Sequence, residues 1–336
     1  MTHEASPAVS VVIPNYNYGR FLEETLRSVL AQTFEDYEVF VIDDGSTDES
    51  RGIVEKIRPG FKGRLQYFYQ DRRGLSESRN VGIERSRGRF ISFLDADDVW
   101  LPNALKELTC ALENSGAGAV YSNTEFFDDK TGAILGTNFN GSTGKLPRNG
   151  ECLDALFLQG SFMPIMTTMV KRDVFEKIGL FDVSLRVGED YDFWLRVAAH
   201  YPIGYVNRIL CRVRRHGSNL TFQSLKHARA QVKILKKTLR AMPSLKNRLG
   251  EAVIHKRFYK AYLDLGRELV LADQRKRGRL YLKRALEMDP NPLMDNVLFY
   301  SFLSYLPSAS WFKKKRENWH RLRARLGPPF SKGAAI

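Results

Sequence analysis

The sequence has little cysteine: Cys110, Cys152 and Cys211 are scattered, and three is an odd number. That excludes a disulfide framework and a zinc-type spacing, and it suits a reducing compartment. Long apolar runs are missing as well. The strongest stretch, NPLMDNVLFYSFLSYLPSASWF over residues 291–312, is bracketed by Asp295 and Pro307. About eleven apolar residues remain between them, where a membrane span needs roughly 20. The opening residues, MTHEASPAVS, show neither a basic n-region nor an apolar h-region, so no signal peptide is expected. There is also no convincing internal repeat.

Acidic residues are scarce in one part of the chain only. Lys and Arg number 52 against 38 Asp and Glu, a net charge of +14. Residues 1–220 hold 26 basic and 30 acidic side chains, a net of −4, whereas residues 221–336 hold 26 and 8, a net of +18. Such asymmetry predicts two functional parts and an anionic partner for the second alone. A nucleic acid is not the expected partner. No RNA- or DNA-binding motif is visible, and the acidic first part opposes a broad basic groove.

What is present is an alternation of strands and helices. VSVVIP (9–14), EVFVI (38–42), LQYFY (65–69), RFISFL (89–94) and AVYSN (119–123) read as strands. Helical spacing covers 20–32, 75–86 and 102–114. Strands alternating with helices of about a dozen residues predict βαβ units and a mostly parallel sheet. The pattern weakens over 124–165, where FNGSTGKLPRNG predicts a long loop of the kind that covers a binding site. Strand character returns at TTMVKR (167–172) and GYVNRILCRVRRH (204–216), flanking a helix over 189–200. After Thr221 the text becomes amphipathic helices with Lys and Arg on their polar faces, the last two resembling a tetratricopeptide-type hairpin.

Polar clusters follow three of the strands: PNYN, DDGSTD and DADD. Carboxylates as close as Asp95, Asp97 and Asp98 disfavour joint ionisation unless positive charge sits among them. A solvated, helix-capping turn accounts for one such cluster. Three at the carboxyl ends of one sheet, where open parallel sheets bind ligands, are harder to explain that way.

VSVVIPNYNYGRFLEETLRSVLAQTFEDYEVFVIDDGSTDES, GLSESRNVGIERSRGRFISFLDADD and GEDYDFWLRV, in that order and spacing, resemble a family 2 glycosyltransferase of the GT-A fold over about residues 8–216. The resemblance implies an α/β, Rossmann-like, mostly parallel sheet flanked by helices (1–220), followed by a C-terminal α-helical extension (221–336). It implies an inverting, metal-dependent enzyme that moves one sugar from a nucleoside-diphosphate donor, of UDP type, to an acceptor hydroxyl.

Residue by residue, Asp95 and Asp97 fit the DXD motif, and hard carboxylate oxygens suit Mg²⁺ or Mn²⁺ against a diphosphate. Asp97 is the main expected ligand, Asp95 acting directly or through water or the ribose, and Asp98 capping the next helix. His216 is read either as a third ligand or as a structural histidine. Pro14 and Tyr16 are expected at the base, with the Tyr16 face available for stacking. Asp44 is expected to accept from the base and Asp43 to support the loop or ribose, while Ser46 and Asp48 cap the helix after Gly45. Arg79 has two readings, pairing with the diphosphate or with the motif acids. Asp190 is the implied catalytic base, Glu189 orients the acceptor, and Trp194 either floors the sugar site or belongs to the core. Arg214 and Arg215 are expected to close over phosphate.

The QxxRW motif and the membrane spans of processive synthases are missing, so a single addition is expected, to a saccharide or lipid-linked saccharide. The basic region 221–336 is expected on an anionic membrane surface at the cytoplasmic face, or as a helical cap on the domain or on a second protomer. A homo-oligomer is therefore an open expectation. One rival enzyme, a sugar-nucleotide nucleotidyltransferase, needs a Gly-rich basic loop after the first strand, where PNYNYG stands. Another rival is a non-enzymatic nucleic-acid-binding protein acting through the basic tail.

Overall fold

The computed structural model describes residues 6–139, 148–217 and 224–289, together with residue 300. The chain divides into two compact units, Met1–Gly217 and Ser218–Ile336.

In the first unit, β1 (Val9–Asn15) and β2 (Tyr37–Asp43) are buried at every position. Continuous β-branched and aromatic runs of this kind belong to strands covered on both faces. Around them lie α1 (Gly19–Leu30), α2 (Ser50–Ile57), β3 (Leu65–Tyr69), α3 (Leu75–Arg85), β4 (Phe90–Phe93), β5 (Val99–Trp100) and α4 (Ala104–Glu113). Then follow β6 (Ala119–Asp128), β7 (Ile134–Thr137), α5 (Leu153–Gln159), β8 (Thr168–Lys171), α6 (Arg172–Ile178), α7 (Glu189–Ala198) and β9 (Ile203–Arg215).

The strand order is β3-β2-β1-β4-β8-β6-β9-β5, with β7 paired to Glu125–Phe127 of β6. Strands β3, β2, β1 and β4 are mutually parallel, as are β6 and β9. Strand β8 runs against both of its neighbours, β4 and β6. The order reverses at β1, which has β2 on one side and β4 on the other. A crevice therefore opens beyond the carboxyl ends of β1 and β4, the place where such sheets bind ligands.

Helix α3 lies close on this part of the sheet because Gly82 has no side chain. A Cβ there would stand 2.3 Å from Val12 Cγ1. Val11, Ile13, Leu22, Leu26, Val39, Leu105 and Leu108 fill the core between α1, α4 and the sheet.

The predicted loop over 124–165 is more ordered than its composition suggests. Strand β6 continues to Asp128 because Asn123–Asp128 pairs in parallel with Ile209–Arg215 of β9. That partner lies about 87 positions away, as the Thr124 hydroxyl bond to the Cys211 carbonyl shows, so local periodicity carries no sign of it. Residues 140–147 of FNGSTGKLPRNG lie outside the described residues.

The second unit contains α8 (Ser224–Ala241), α9 (Ser244–Leu249), α10 (Glu251–Leu271) and α11 (Arg275–Met288). Helices α10 and α11 form a tight hairpin. A Cβ on Gly266 would lie 2.8 Å from Leu282 Cγ, and one on Gly278 would lie 2.6 Å from Val270 Cγ2. None of the described helices is long and apolar enough to cross a membrane. The aromatic and basic stretch after residue 300 lies outside the described residues.

Candidate active site

At the end of β1, Asn15 Nδ2 donates to Asp43 Oδ2 at 3.2 Å and to Ser46 Oγ at 3.1 Å. Asp43 is fully buried, and also accepts from the Ser46 N–H (2.7 Å) and the Tyr67 hydroxyl (2.9 Å). All of these contacts are internal, and they stiffen the turn after β2. The Asp44 carboxylate accepts from Gln70 Nε2 and from the backbone N–H groups of Arg73 and Gly74, each at 2.8 Å. Gly45 makes the intervening turn at φ +84°, where a Cβ would press on Arg72 N at 3.2 Å. The Asp44 loop and the Arg72–Gly74 loop therefore form one rim of the crevice.

Tyr16 stands on this rim, half-buried, with the Arg72 guanidinium 3.8 Å from its ring centroid and donating to its hydroxyl at 2.8 Å. A planar cation thus covers one face of the expected stacking residue. Pro14 is buried in the ladder opposite Ile42. Ser46 does not cap α2. Its hydroxyl accepts from the Asn17 N–H at 2.9 Å instead, whereas Asp48 accepts from the first residues of two helices, Gly19 N–H (2.8 Å) and Ser50 N–H (3.1 Å).

The acids after β4 point three ways. Asp95 Oδ1 accepts from Arg79 Nη2 at 2.9 Å, Asp97 Oδ2 lies 2.9 Å from His216 Nε2, and Asp98 Oδ1 accepts from the Arg214 N–H at 2.9 Å. Asp98 is therefore no helix cap: it is buried and pins the end of β9. The backbone of the same turn is held by the Thr25 hydroxyl of α1, which donates to the carbonyls of Ala96 (2.9 Å) and Asp98 (2.8 Å). Burial, then the charge of Asp95, raises the Asp97 carboxyl above its usual range. Burial pushes Asp98 well up, with Asp97 and Asp95 adding to it. Tyr18, a residue the motif reading passed over, closes the group. Its phenol is pushed well up by burial and by Asp97 and Asp95, and its ring meets His216 edge-on at 5.6 Å.

Arg214 does not close over phosphate. It is buried between the rings of Phe21 (4.8 Å) and Phe127 (4.6 Å), and it pairs with Glu24 and, at 3.0 Å, with Asp129. Its Nε donates to the Asp97 carbonyl at 3.0 Å. The residue braces the strand that presents His216. The Arg215 guanidinium lies over the Phe126 ring at 4.2 Å.

The third component enters from α7, which starts after Gly188 in a left-handed conformation at φ +76°. Arg79, 1% exposed, joins it to the strand ends: Nη1 donates to Glu189 Oε1 at 2.5 Å while Nη2 holds Asp95. Arg79 Nε has no partner among the described residues. Asp190 next door is half-buried, and Oδ1 accepts from the Tyr191 N–H at 2.8 Å. Burial pushes its carboxyl up to about 7, Glu189 adding to the rise and Arg79 opposing it. Trp194 is corrected to a core residue. It is fully buried against Phe193, with ring centroids 5.0 Å apart, and offers no face to a sugar.

The family model for Glycosyl transferase family 2 matches residues 10–179. The chain belongs to this family. An uncharacterised glycosyltransferase of Rickettsia prowazekii is 32% identical over 225 residues, 66% of this chain and 68% of the relative. One from Nostoc sp. is 31% identical over 216 residues, 63% and 66% of the two chains. Among solved structures, Staphylococcus aureus TarS 1–349 in complex with UDP-GlcNAc shares the fold at a TM-score of 0.56 and 17% identity, covering 92% of each chain. A Pyrobaculum calidifontis mannosyltransferase in complex with GDP-Man and Mn²⁺ gives a TM-score of 0.58 at 17% identity, covering 96% of this chain and 88% of that one. The α/β architecture is thus that of GT-A glycosyltransferases, with a C-terminal helical region added.

For this glycosyltransferase the fit of a divalent cation rests on the kind of donors present. Two carboxylates and an imidazole surround the turn after β4, and Asp97 is destabilised as an anion by burial and by Asp95. Such oxygen-rich sets suit Mn²⁺ or Mg²⁺. No three His, Cys, Asp or Glu side chains among the described residues are arranged to hold an ion, and Asp95 gives one oxygen to Arg79.

Proposed function

We propose that this glycosyltransferase is an inverting, metal-dependent enzyme that transfers one sugar from a UDP-type donor to an acceptor hydroxyl. Asp190 is its base. The observation that carries the reading is a half-buried carboxylate held near neutrality, about 7, beside the Arg79–Glu189–Asp95 network. A base poised close to working pH balances its deprotonated fraction against its proton affinity.

In the proposed step the acceptor oxygen forms a bond to the anomeric carbon as its proton passes to an Asp190 oxygen. The bond from that carbon to the diphosphate breaks, and its electron pair stays on the departing diphosphate oxygen. Attack opposite the leaving group inverts the configuration. Glu189, fixed by Arg79, sets the electrostatic surroundings of the base and one wall for the acceptor. Tyr16, Arg72 and Asp44 form the rim for the nucleoside, and TarS with UDP-GlcNAc supports a uridine donor there. Asp97 and His216, with Asp95, would hold a divalent cation, which when bound supplies positive charge for the leaving diphosphate. The Pyrobaculum calidifontis neighbour solved with Mn²⁺ supports the same reading. An acceptor in cell-surface polysaccharide or glycolipid assembly suits a single-addition enzyme with a basic helical unit.

The test is transfer from a panel of UDP- and GDP-sugars with Mn²⁺, in wild type and Asp190→Asn. Loss of a positioned base costs about 10²–10⁴-fold in kcat. Donor binding, read as a thermal shift, stays intact. Equal activity in the Asn variant removes Asp190 from the role. Pyrophosphate release from a nucleoside triphosphate and a sugar phosphate would make the chain a nucleotidyltransferase instead.

A further inference from the structure

Helix α11 carries a surface that the transfer reaction does not use. Its inner side, Gly278, Leu282 and Ala285, is buried, with Gly278 and Leu282 against α10 at distances that leave no freedom to rotate. With 100° per residue, the opposite side is centred on Leu280 and holds Lys276, Lys283, Arg277 and Arg284 within about 60° of it. Leu280 is 48% exposed. Lys276, Arg277 and Lys283 are exposed, and none of these four cations has an acidic partner among the described residues. Arg284 lies over the Tyr281 ring at 5.2 Å, and Tyr281 in turn meets Tyr262 at 5.9 Å. Among the described residues the face has one acid, Glu287, at its C-terminal end.

We propose that this face of α11 docks the protein on an anionic lipid bilayer. A leucine ringed by cations without acidic partners among the described residues matches the headgroup boundary. The apolar side chain enters the acyl edge, and the basic side chains reach lipid phosphates on either side. The helix has 14 residues, about 21 Å, so the cations can engage several headgroups at once. A nucleic acid fits less well. The face offers no free aromatic for a base to stack on, and a central leucine gains nothing from a phosphate chain. The first part of the chain, at −4, is repelled by an anionic surface. The attraction is expected from the basic part, where α11 sets four cations around an exposed leucine while α10 sets only Lys256 and Lys260 beside its exposed Val253.

The test is co-sedimentation of the full chain with vesicles of phosphatidylcholine alone or mixed with phosphatidylglycerol. Binding to the mixed vesicles is expected, falling as salt rises. Each basic side chain near the surface contributes about fivefold to partitioning. The triple variant Lys276→Glu, Arg277→Glu, Lys283→Glu should therefore lose about 100-fold or more. A control with the same charge change in the first unit, Lys106→Glu, Lys130→Glu, Lys177→Glu, should lose less than about threefold, because its positions are not part of the α11 face. Leu280→Ser should lose about five- to tenfold, as expected for a leucine leaving an apolar boundary. All of these positions are on the surface, so far-UV circular dichroism and Tm should match wild type. Equal losses in the two triple variants would overturn the proposal, since only net charge would then matter. So would no preference for anionic vesicles, or an unchanged Leu280→Ser.

Discussion

Arg79→Met tests whether the two halves of the site are one electrostatic unit. The side chain is 2% exposed and joins Asp95, whose side chain is 25% exposed, to Glu189, whose side chain is 7% exposed. Methionine keeps much of the volume and removes the charge. Breaking a buried pair by deleting one partner costs about 3–5 kcal/mol, since the carboxylate left behind has lost both solvent and counter-charge. Glu189 carries most of that cost here, because Asp95 still meets water. At about 2–4 °C per kcal/mol for a unit of this size, Tm should fall by about 6–20 °C.

Kinetics supply the more specific readout. Arg79 opposes the rise of the Asp190 carboxyl and Glu189 adds to it. Removing the cation must therefore move the acid limb of the kcat/KM profile to higher pH, and Glu189→Gln must move it lower. The double variant should recover part of the stability lost by Arg79→Met, because the orphaned charge is gone. The assay is a pH series of transfer on all three variants, with Tm at each pH. Destabilisation below about 1 kcal/mol, an ordinary surface value, would refute the reasoning, as would an unmoved acid limb in both single variants.

The Asp190 carboxyl is held at about 7 in the folded chain against an ordinary 3.8. The folded state thus binds more protons than the unfolded state between those values, and this group makes stability fall as pH rises from about 4 to 7. Asp190→Asn should raise Tm at pH 8 relative to wild type and leave it nearly unchanged at pH 4. A lower Tm at pH 8 would contradict that sign. Gly82→Ala places a methyl 2.3 Å from Val12 Cγ1, both on well-packed elements, and overpacking of this kind costs about 1–3 kcal/mol in urea unfolding.

The strands that bind the site together were readable because each is a continuous apolar run with a polar stop. Strands β1, β2, β3 and β4 fall within a residue or two of their sequence boundaries. What stayed hidden depends on partners far along the chain. The six C-terminal residues of β6 are polar and aromatic by turns, and they are strand because β9 lies beside them. Strand β5 has two residues, too few for any periodicity. Helix α6, at seven residues, gives barely two turns of pattern.

The candidate site was legible as a set of residue types but not as a circuit. Glycine, acid and aromatic signals marked the strand ends, since few folds leave so many polar groups there. The sequence did not show where Asp98 and Arg214 are used: it predicts Asp98 capping the next helix and Arg214 closing over phosphate. Once Asp98 accepts the Arg214 N–H and Arg214 is sandwiched by Phe21 and Phe127, they serve to hold His216 in place. Nor could spacing reveal that Arg79 meets Glu189 across 110 residues. The close set Asp95, Asp97 and Asp98 has partners of its own. Asp95 accepts from Arg79 of α3, whereas Asp97 and Asp98 meet His216 and the Arg214 N–H at the end of β9. The cluster is therefore held from two elements, α3 and the end of β9. A change in any one partner should alter one acid first, which is why Arg79 is the variant that separates the base from the rest of the site.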